Sequence, residues 1–200
     1  AVILSPGYGE TKREYIALAY AMATNGCHVF RYDHSNHVGE SEGDLSQTTL
    51  SGMKDDLTAV LTHVERMCPA SPVAAVATDL SARAALKASA HDPRIKLLII
   101  LAGVVDVQAT LIEVHQEDYI ATFAEGTRRG VCNILGLNID ADRWLADVSK
   151  QGYADLRTTL RDIAQIRASV VWFVAEHDAW VRESSVKEVQ TALDSKLAGA

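Results

Sequence analysis

The apolar run Pro72-Val73-Ala74-Ala75-Val76 passes through Ala77-Thr78-Asp79-Leu80-Ser81 into the alanine-rich Ser81-Ala82-Arg83-Ala84-Ala85-Leu86. An apolar run without polar alternation reads as a strand buried on both faces, and the run after it as a helix. So little chain separates the two that the backbone must turn sharply between small residues. A strand, sharp turn and helix in that order lift one side chain above the end of a sheet. Here the raised side chain is Asp79.

The rest of the chain keeps the same rhythm. Strand-like runs fall at residues 1–5, 27–32, 73–77, 95–102 and 169–175, and helical segments at 12–25, 48–67, 81–90 and 183–197. Thr24-Asn25-Gly26 is a good helix stop, and Pro69 and Pro72 bracket the loop after the second helix. The βαβαβ order predicts an α/β three-layer sandwich with a mostly parallel sheet and right-handed crossovers. From 105 to 167 the alternation lapses, and so long a stretch between two strands is expected to form an inserted helical cap on a single domain spanning 1–200.

Composition narrows the partners. The 200 residues are 48% hydrophobic and 22% charged, an ordinary globular balance, and the net charge of −7 argues against nucleic acid. Cys27, Cys68 and Cys132 are widely spaced without a CxxC pair, so a reduced, cytoplasmic chain with no metal site and no cofactor is expected. The longest apolar run, 97–105, is about half of what a membrane span requires. The chain starts on Ala1-Val2-Ile3-Leu4 without Met and stops on a helix-like end, so both ends are expected to be cut short. Oligomeric state is left open.

In an open parallel sheet, the strand C-terminal ends carry the function. Those ends hold Ser5-Pro6-Gly7-Tyr8-Gly9, the loop from Arg31 to Gly43, Asp79, and Glu176-His177-Asp178-Ala179-Trp180-Val181. The arrangement resembles the α/β-hydrolases. In that fold one oxyanion N–H comes from the early loop and one from the residue after the nucleophile, which marks Tyr8 and Leu80. The acid of the triad follows a late strand, which marks Asp178.

A narrower likeness rests on Gly26-Cys27-His28-Val29-Phe30-Arg31-Tyr32-Asp33, His37-Val38-Gly39 with Ser41 and Gly43, Leu80-Ser81-Ala82-Arg83, Gly103-Val104-Val105 and Asp178-Ala179-Trp180-Val181. With these residues the chain resembles the acyltransferase family of the bacterial luminescence system, thioesterases that cleave long-chain acyl groups from acyl carrier protein. The likeness is thin between 108 and 168. It implies an acyl-thioester hydrolase or acyltransferase acting on fatty-acyl carrier protein or acyl-CoA substrates. It also places a nucleophilic Ser where Asp79 stands, and a triad His after a further strand that this chain does not reach.

Asp79 therefore carries three readings. It could be an altered or silenced nucleophile position, its carboxylate filling the oxyanion site made by Tyr8 and Leu80. It could attack an alkyl carbon, as in dehalogenases and epoxide hydrolases of this fold. Or the chain could be a non-hydrolytic descendant that binds or cyclises an acyl chain. The plain alternative is a helix N-cap. Ser81 is a fallback nucleophile expected to face the backbone of the first helical turn, and Asp178 could merely cap a loop. His37 and His177 lie on the same edge but not where this fold puts its base. Asp33 is expected to fix the loop after its strand. Trp172 and Phe173 read as buried strand residues, Trp180 as a cleft wall or packing residue, and Tyr119, Phe123 and Trp144 as acyl-channel lining or cap core.

Overall fold

A computed structural model describes residues 1–198. Five strands, β1 (Val2–Leu4), β2 (Val29–Arg31), β3 (Val73–Thr78), β4 (Ile95–Leu101) and β7 (Ser169–Phe173), form one sheet in the order β2-β1-β3-β4-β7. Every pairing in it is parallel, with Ile3 opposite Ala75 and Ile100 opposite Trp172. All five C-terminal ends therefore meet on one edge.

Alternate strand residues face two apolar layers. Val2, Leu4 and Val76 pack against Ala19 of α1 (Ile16–Thr24) on one face. Ile3, Ala75 and Ala77 join the larger core on the other. That core includes Leu57 and Leu61 of α2 (Leu50–Met67), Leu80 and Leu86 of α3 (Asp79–His91), and Val189 of α8 (Glu183–Ala198).

β7 departs from the buried-strand expectation. As the outer strand of the sheet it buries Val170 and Trp172 only in part, and Phe173 is 59% exposed. Val171 and Phe173 lie opposite Ile99 and Leu101, on the face that α1 covers only nearer the sheet centre. Helix α1 also begins later than its sequence pattern suggests: residues 12–15 form turns, and the Lys12 N–H is held by Asp33 Oδ1 at 2.7 Å.

Between β4 and β7 the chain forms α4 (Val107–His115), α5 (Tyr119–Ala124), an antiparallel hairpin of β5 (Val131–Ile134) and β6 (Leu137–Asp140), α6 (Ala141–Lys150) and α7 (Leu156–Gln165). Helix α6 turns Trp144, Leu145 and Val148 into the core, and the Asp147 carboxylate accepts the Ser51 N–H of α2 at 3.0 Å. Helix α7 packs on α3 through an ion pair of Asp162 with the fully buried Arg83 at 2.7 Å. No described helix is long and apolar enough to cross a membrane.

Candidate active site

Thr78 ends β3 in an extended conformation, and Asp79 follows with φ +37°, in the left-handed region that a non-glycine residue enters only under constraint. The Asp79 carboxyl stands at the sheet edge, against the first turn of α3. Ser81 closes the first turn of α3: its hydroxyl donates to the Thr78 carbonyl at 2.9 Å and accepts the Thr78 N–H at 3.3 Å. Asp79 is thus not the N-cap, a place taken by Thr78, and the Ser81 hydroxyl is buried against the backbone.

The loop after β1 meets Asp79 from the other side. The Tyr8 N–H donates to both carboxylate oxygens, at 3.3 Å to Oδ1 and 3.1 Å to Oδ2. The Leu80 N–H donates to Oδ1 as well. The two N–H groups marked in the sequence therefore converge on one carboxylate. Gly7 makes the approach feasible: a Cβ there would come within 2.4 Å of Asp79 Oδ2, 2.6 Å of Glu10 Oε2 and 2.7 Å of Thr78 Oγ1.

Glu10 is the residue that sequence reasoning missed. Its Oε2 accepts from the Gly7 N–H at 2.9 Å and the Tyr15 hydroxyl at 2.5 Å, and Tyr15 in turn meets the Thr78 hydroxyl at 2.8 Å. Burial, and then the charge of Glu10, push the Asp79 carboxyl up to about 7, while the N–H bonds from Tyr8 and Ser81 pull the other way. Nothing local marks Glu10; only the fold brings it to the elbow.

Histidines lie behind the same loop. His37 sets its ring edge-on to Tyr8 at 5.3 Å and accepts the Gly9 N–H at 3.4 Å. Burial, then neighbouring His34, hold His37 down at about 4, so it is neutral at neutral pH. His34 bridges Ser5 Oγ at 3.3 Å and Asp56 Oδ2 at 3.2 Å, and Ser5 also meets the Tyr32 hydroxyl at 2.8 Å. That chain resembles a catalytic triad in connectivity, but Ser5 and His34 are both buried, so it pins the root of the loop. Asp33 pins the next loop, accepting the Lys12 and Glu40 N–H groups at 2.7 and 2.9 Å.

Asp178 lies on the same sheet edge, beyond β7, yet its recorded hydrogen bonds are to its own loop. Its Oδ1 accepts the Trp180 N–H at 2.8 Å and the Val181 N–H at 3.1 Å. The Trp180 carbonyl accepts from Thr110 of α4 at 2.8 Å. Asp178 borders a cleft of about 280 Å³ with Val174, Val181 and Val186, alongside the exposed His177. A larger cavity of about 440 Å³ opens at the opposite end of the sheet, between Pro72 and Pro93, away from Asp79.

The segment between β4 and β7 approaches the loop after β1 through Leu137, whose Cδ2 lies 3.9 Å from where a Cβ on Gly9 would stand. Its aromatic residues are engaged locally. Trp144 is fully buried, Tyr119 stacks on His115 and carries the Arg129 guanidinium at 3.8 Å, and Phe123 carries Arg128 at 4.3 Å. Among the described residues, no group of His, Cys, Asp and Glu side chains could hold a metal ion.

A family model described as "Acyl transferase" matches residues 1–198. The chain belongs to the acyl transferase family. It is 28% identical over 194 residues to the acyl transferase of Photobacterium phosphoreum, covering 97% of this chain and 63% of that protein. It is 27% identical over 194 residues to that of Shewanella hanedai, covering 97% and 62%. The chain thus spans less than two thirds of the length of these relatives.

Among solved structures, the Paleococcus ferrophilus monoacylglycerol lipase matches with TM-score 0.71 at 14% identity, covering 96% of this chain and 79% of that one. A Pyrococcus furiosus esterase matches with TM-score 0.66 at 16% identity, covering 97% and 67%. At those identities the likeness is one of fold, and the fold is that of the α/β-hydrolases.

Proposed function

We propose that this chain is the acyl-binding core of an acyl-thioester hydrolase or acyltransferase acting on fatty-acyl carrier protein or acyl-CoA substrates, with Asp79 in the nucleophile position and residues 105–167 as its cap. One observation carries the reading: the Tyr8 and Leu80 N–H groups converge on the Asp79 carboxylate. Donors so placed at a strained strand-to-helix turn are what stabilise an acyl oxygen as it gains charge. With Asp79 ionised they are already satisfied, so the acyl oxygen must compete with a tethered anion. Asp178 is the triad acid of this reading, held ready by its loop.

A fluorescent fatty-acid probe and an acyl-thioester assay test the proposal together. The expected result is probe binding without thioester turnover by these 200 residues. Turnover that Asp79→Asn abolishes would contradict it and make Asp79 a nucleophile toward thioesters. No probe binding would remove the acyl site altogether.

The same geometry favours one second reading. Oδ1 accepts both N–H groups and Oδ2 only that of Tyr8, which leaves Oδ2 as the oxygen freer to attack. Attack by Oδ2 on an alkyl carbon forms a C–O bond and expels the leaving group. The carbonyl of the resulting ester then sits on the same two donors. Mass spectrometry after incubation with an alkyl halide or epoxide decides: an ester trapped on Asp79 supports this reading alone.

A further inference from the structure

We infer that Glu10 is a positioning residue for Asp79: its carboxylate, held within about 5 Å of the elbow carboxyl, opposes a second negative charge there, so that protonation of Asp79 opens the Tyr8 and Leu80 N–H groups to an acyl oxygen. The inference rests on the reading of Asp79 as the group at the acyl site. Its geometry is independent of that reading. The space that a Cβ on Gly7 would fill lies between Asp79 Oδ2 and Glu10 Oε2, so these oxygens are within about 5 Å of each other. Three donors hold Glu10 in place: the Gly7 N–H, the Tyr15 hydroxyl and, at 3.4 Å, the Thr78 hydroxyl. A carboxylate so near makes a second negative charge on Asp79 costly.

The groups facing Asp79 come from every neighbouring segment: Glu10 and Tyr8 from the loop after β1, and Tyr15 from the turn before α1. Both phenols are pushed upward by burial and stay neutral, so Glu10 is the sole charge among them. When Asp79 is ionised, its carboxylate holds both N–H groups and repels the partial negative charge of a carbonyl oxygen. When it is protonated, the repulsion is gone and the donors are available. Acyl binding should therefore be tighter below the titration midpoint of about 7 and weaker above it.

The sign for a variant runs against simple repulsion. Glu10→Gln removes a negative charge near the acyl site, yet it makes Asp79 easier to ionise. At pH 7 the variant should thus bind an uncharged acyl ligand more weakly than the wild type does.

The test is a carbon-13 titration of the aspartate and glutamate carboxyl carbons, assigned with Asp79→Asn, alongside binding of an uncharged fluorescent fatty amide from pH 5 to 9. We expect Asp79 to titrate near 7 in the wild type, Glu10→Gln to lower that midpoint by about one pH unit, and the binding profile to move with it. Glu10→Asp keeps the charge and should restore most of the shift. An Asp79 midpoint unchanged by Glu10→Gln would overturn the role of Glu10 while leaving the acyl site standing. Acyl binding insensitive to Asp79→Asn at every pH would instead remove the proposed function.

Discussion

Helix α3 carries two ionisable side chains one turn apart, the fully buried Arg83 and the half-buried Asp79, and they are handled in opposite ways. Arg83 is fully buried and meets Asp162 at 2.7 Å, the Gly152 carbonyl at 2.6 Å and the Tyr153 ring at 5.2 Å. Burial pulls the guanidinium down, and Asp162 offsets that by favouring the charge. Asp79, at the start of the same helix, has no cation among its hydrogen-bond partners and faces the Glu10 carboxylate instead. One of these positions is built to fix a charge and the other to make one costly. Structural ion pairs belong to the first kind, and groups that exchange protons or bind ligands to the second.

The largest effect should come from breaking the pair. Asp162→Ala leaves Arg83 buried and unmatched, and it should cost about 3–5 kcal/mol in urea unfolding. A loss under about 1 kcal/mol would mean that the region reorganises, and the contrast with Asp79 would lose its stable half.

Changing the other position should have the reverse sign. In the folded chain Asp79 keeps its proton up to about 7, whereas the unfolded chain releases it near the ordinary value of 3.8. Between those values the folded state alone is protonated, so stability falls as pH rises through the window and levels off above it. Asp79→Asn cannot ionise, and Asn tolerates a positive φ. The variant should therefore be more stable than wild type by about 2 kcal/mol at pH 8, with the difference vanishing toward pH 4. Equal stabilities at both pH values would show that ionised Asp79 is well accommodated.

Two smaller changes sharpen the comparison. Gly7→Ala pushes a methyl group between Asp79, Glu10 and Thr78, and it should cost about 1–3 kcal/mol by thermal unfolding while disturbing the Asp79 titration. Ser81→Ala opens the first turn of α3 for about 1 kcal/mol. If Ser81 only closes that turn, its loss leaves the Asp79 titration in place.

The legible part of this molecule was local in sequence. Uniformly apolar runs gave the five sheet strands to within a few residues, and the crowded turn at Thr78-Asp79 marked the elbow. Tyr8 and Leu80 could be named because the resemblance to the α/β-hydrolases puts one N–H donor in the early loop and one after the elbow residue. Residues 105–167 hid four helices and a hairpin, although Trp144, Leu145 and Val148 after the cap Asp140 carry a helical spacing. Phe173 was misjudged because nothing in an apolar run says that its strand will lie at the edge of the sheet. Glu10 and Arg83 escaped for a shared reason. Their partners, Asp79 and Asp162, are distant in sequence, and a loop glutamate or a helical arginine carries no sign of burial until the fold supplies it.

The account stands on the Asp79 carboxylate occupying the N–H groups of Tyr8 and Leu80. Amide proton shifts of those two residues, followed by NMR from pH 5 to 9, test that contact directly. Both should move downfield together with a midpoint of about 7 as the carboxylate forms, and neither should titrate in Asp79→Asn. Amides that stay still across that range in the wild type, or that move equally in Asp79→Asn, would contradict it.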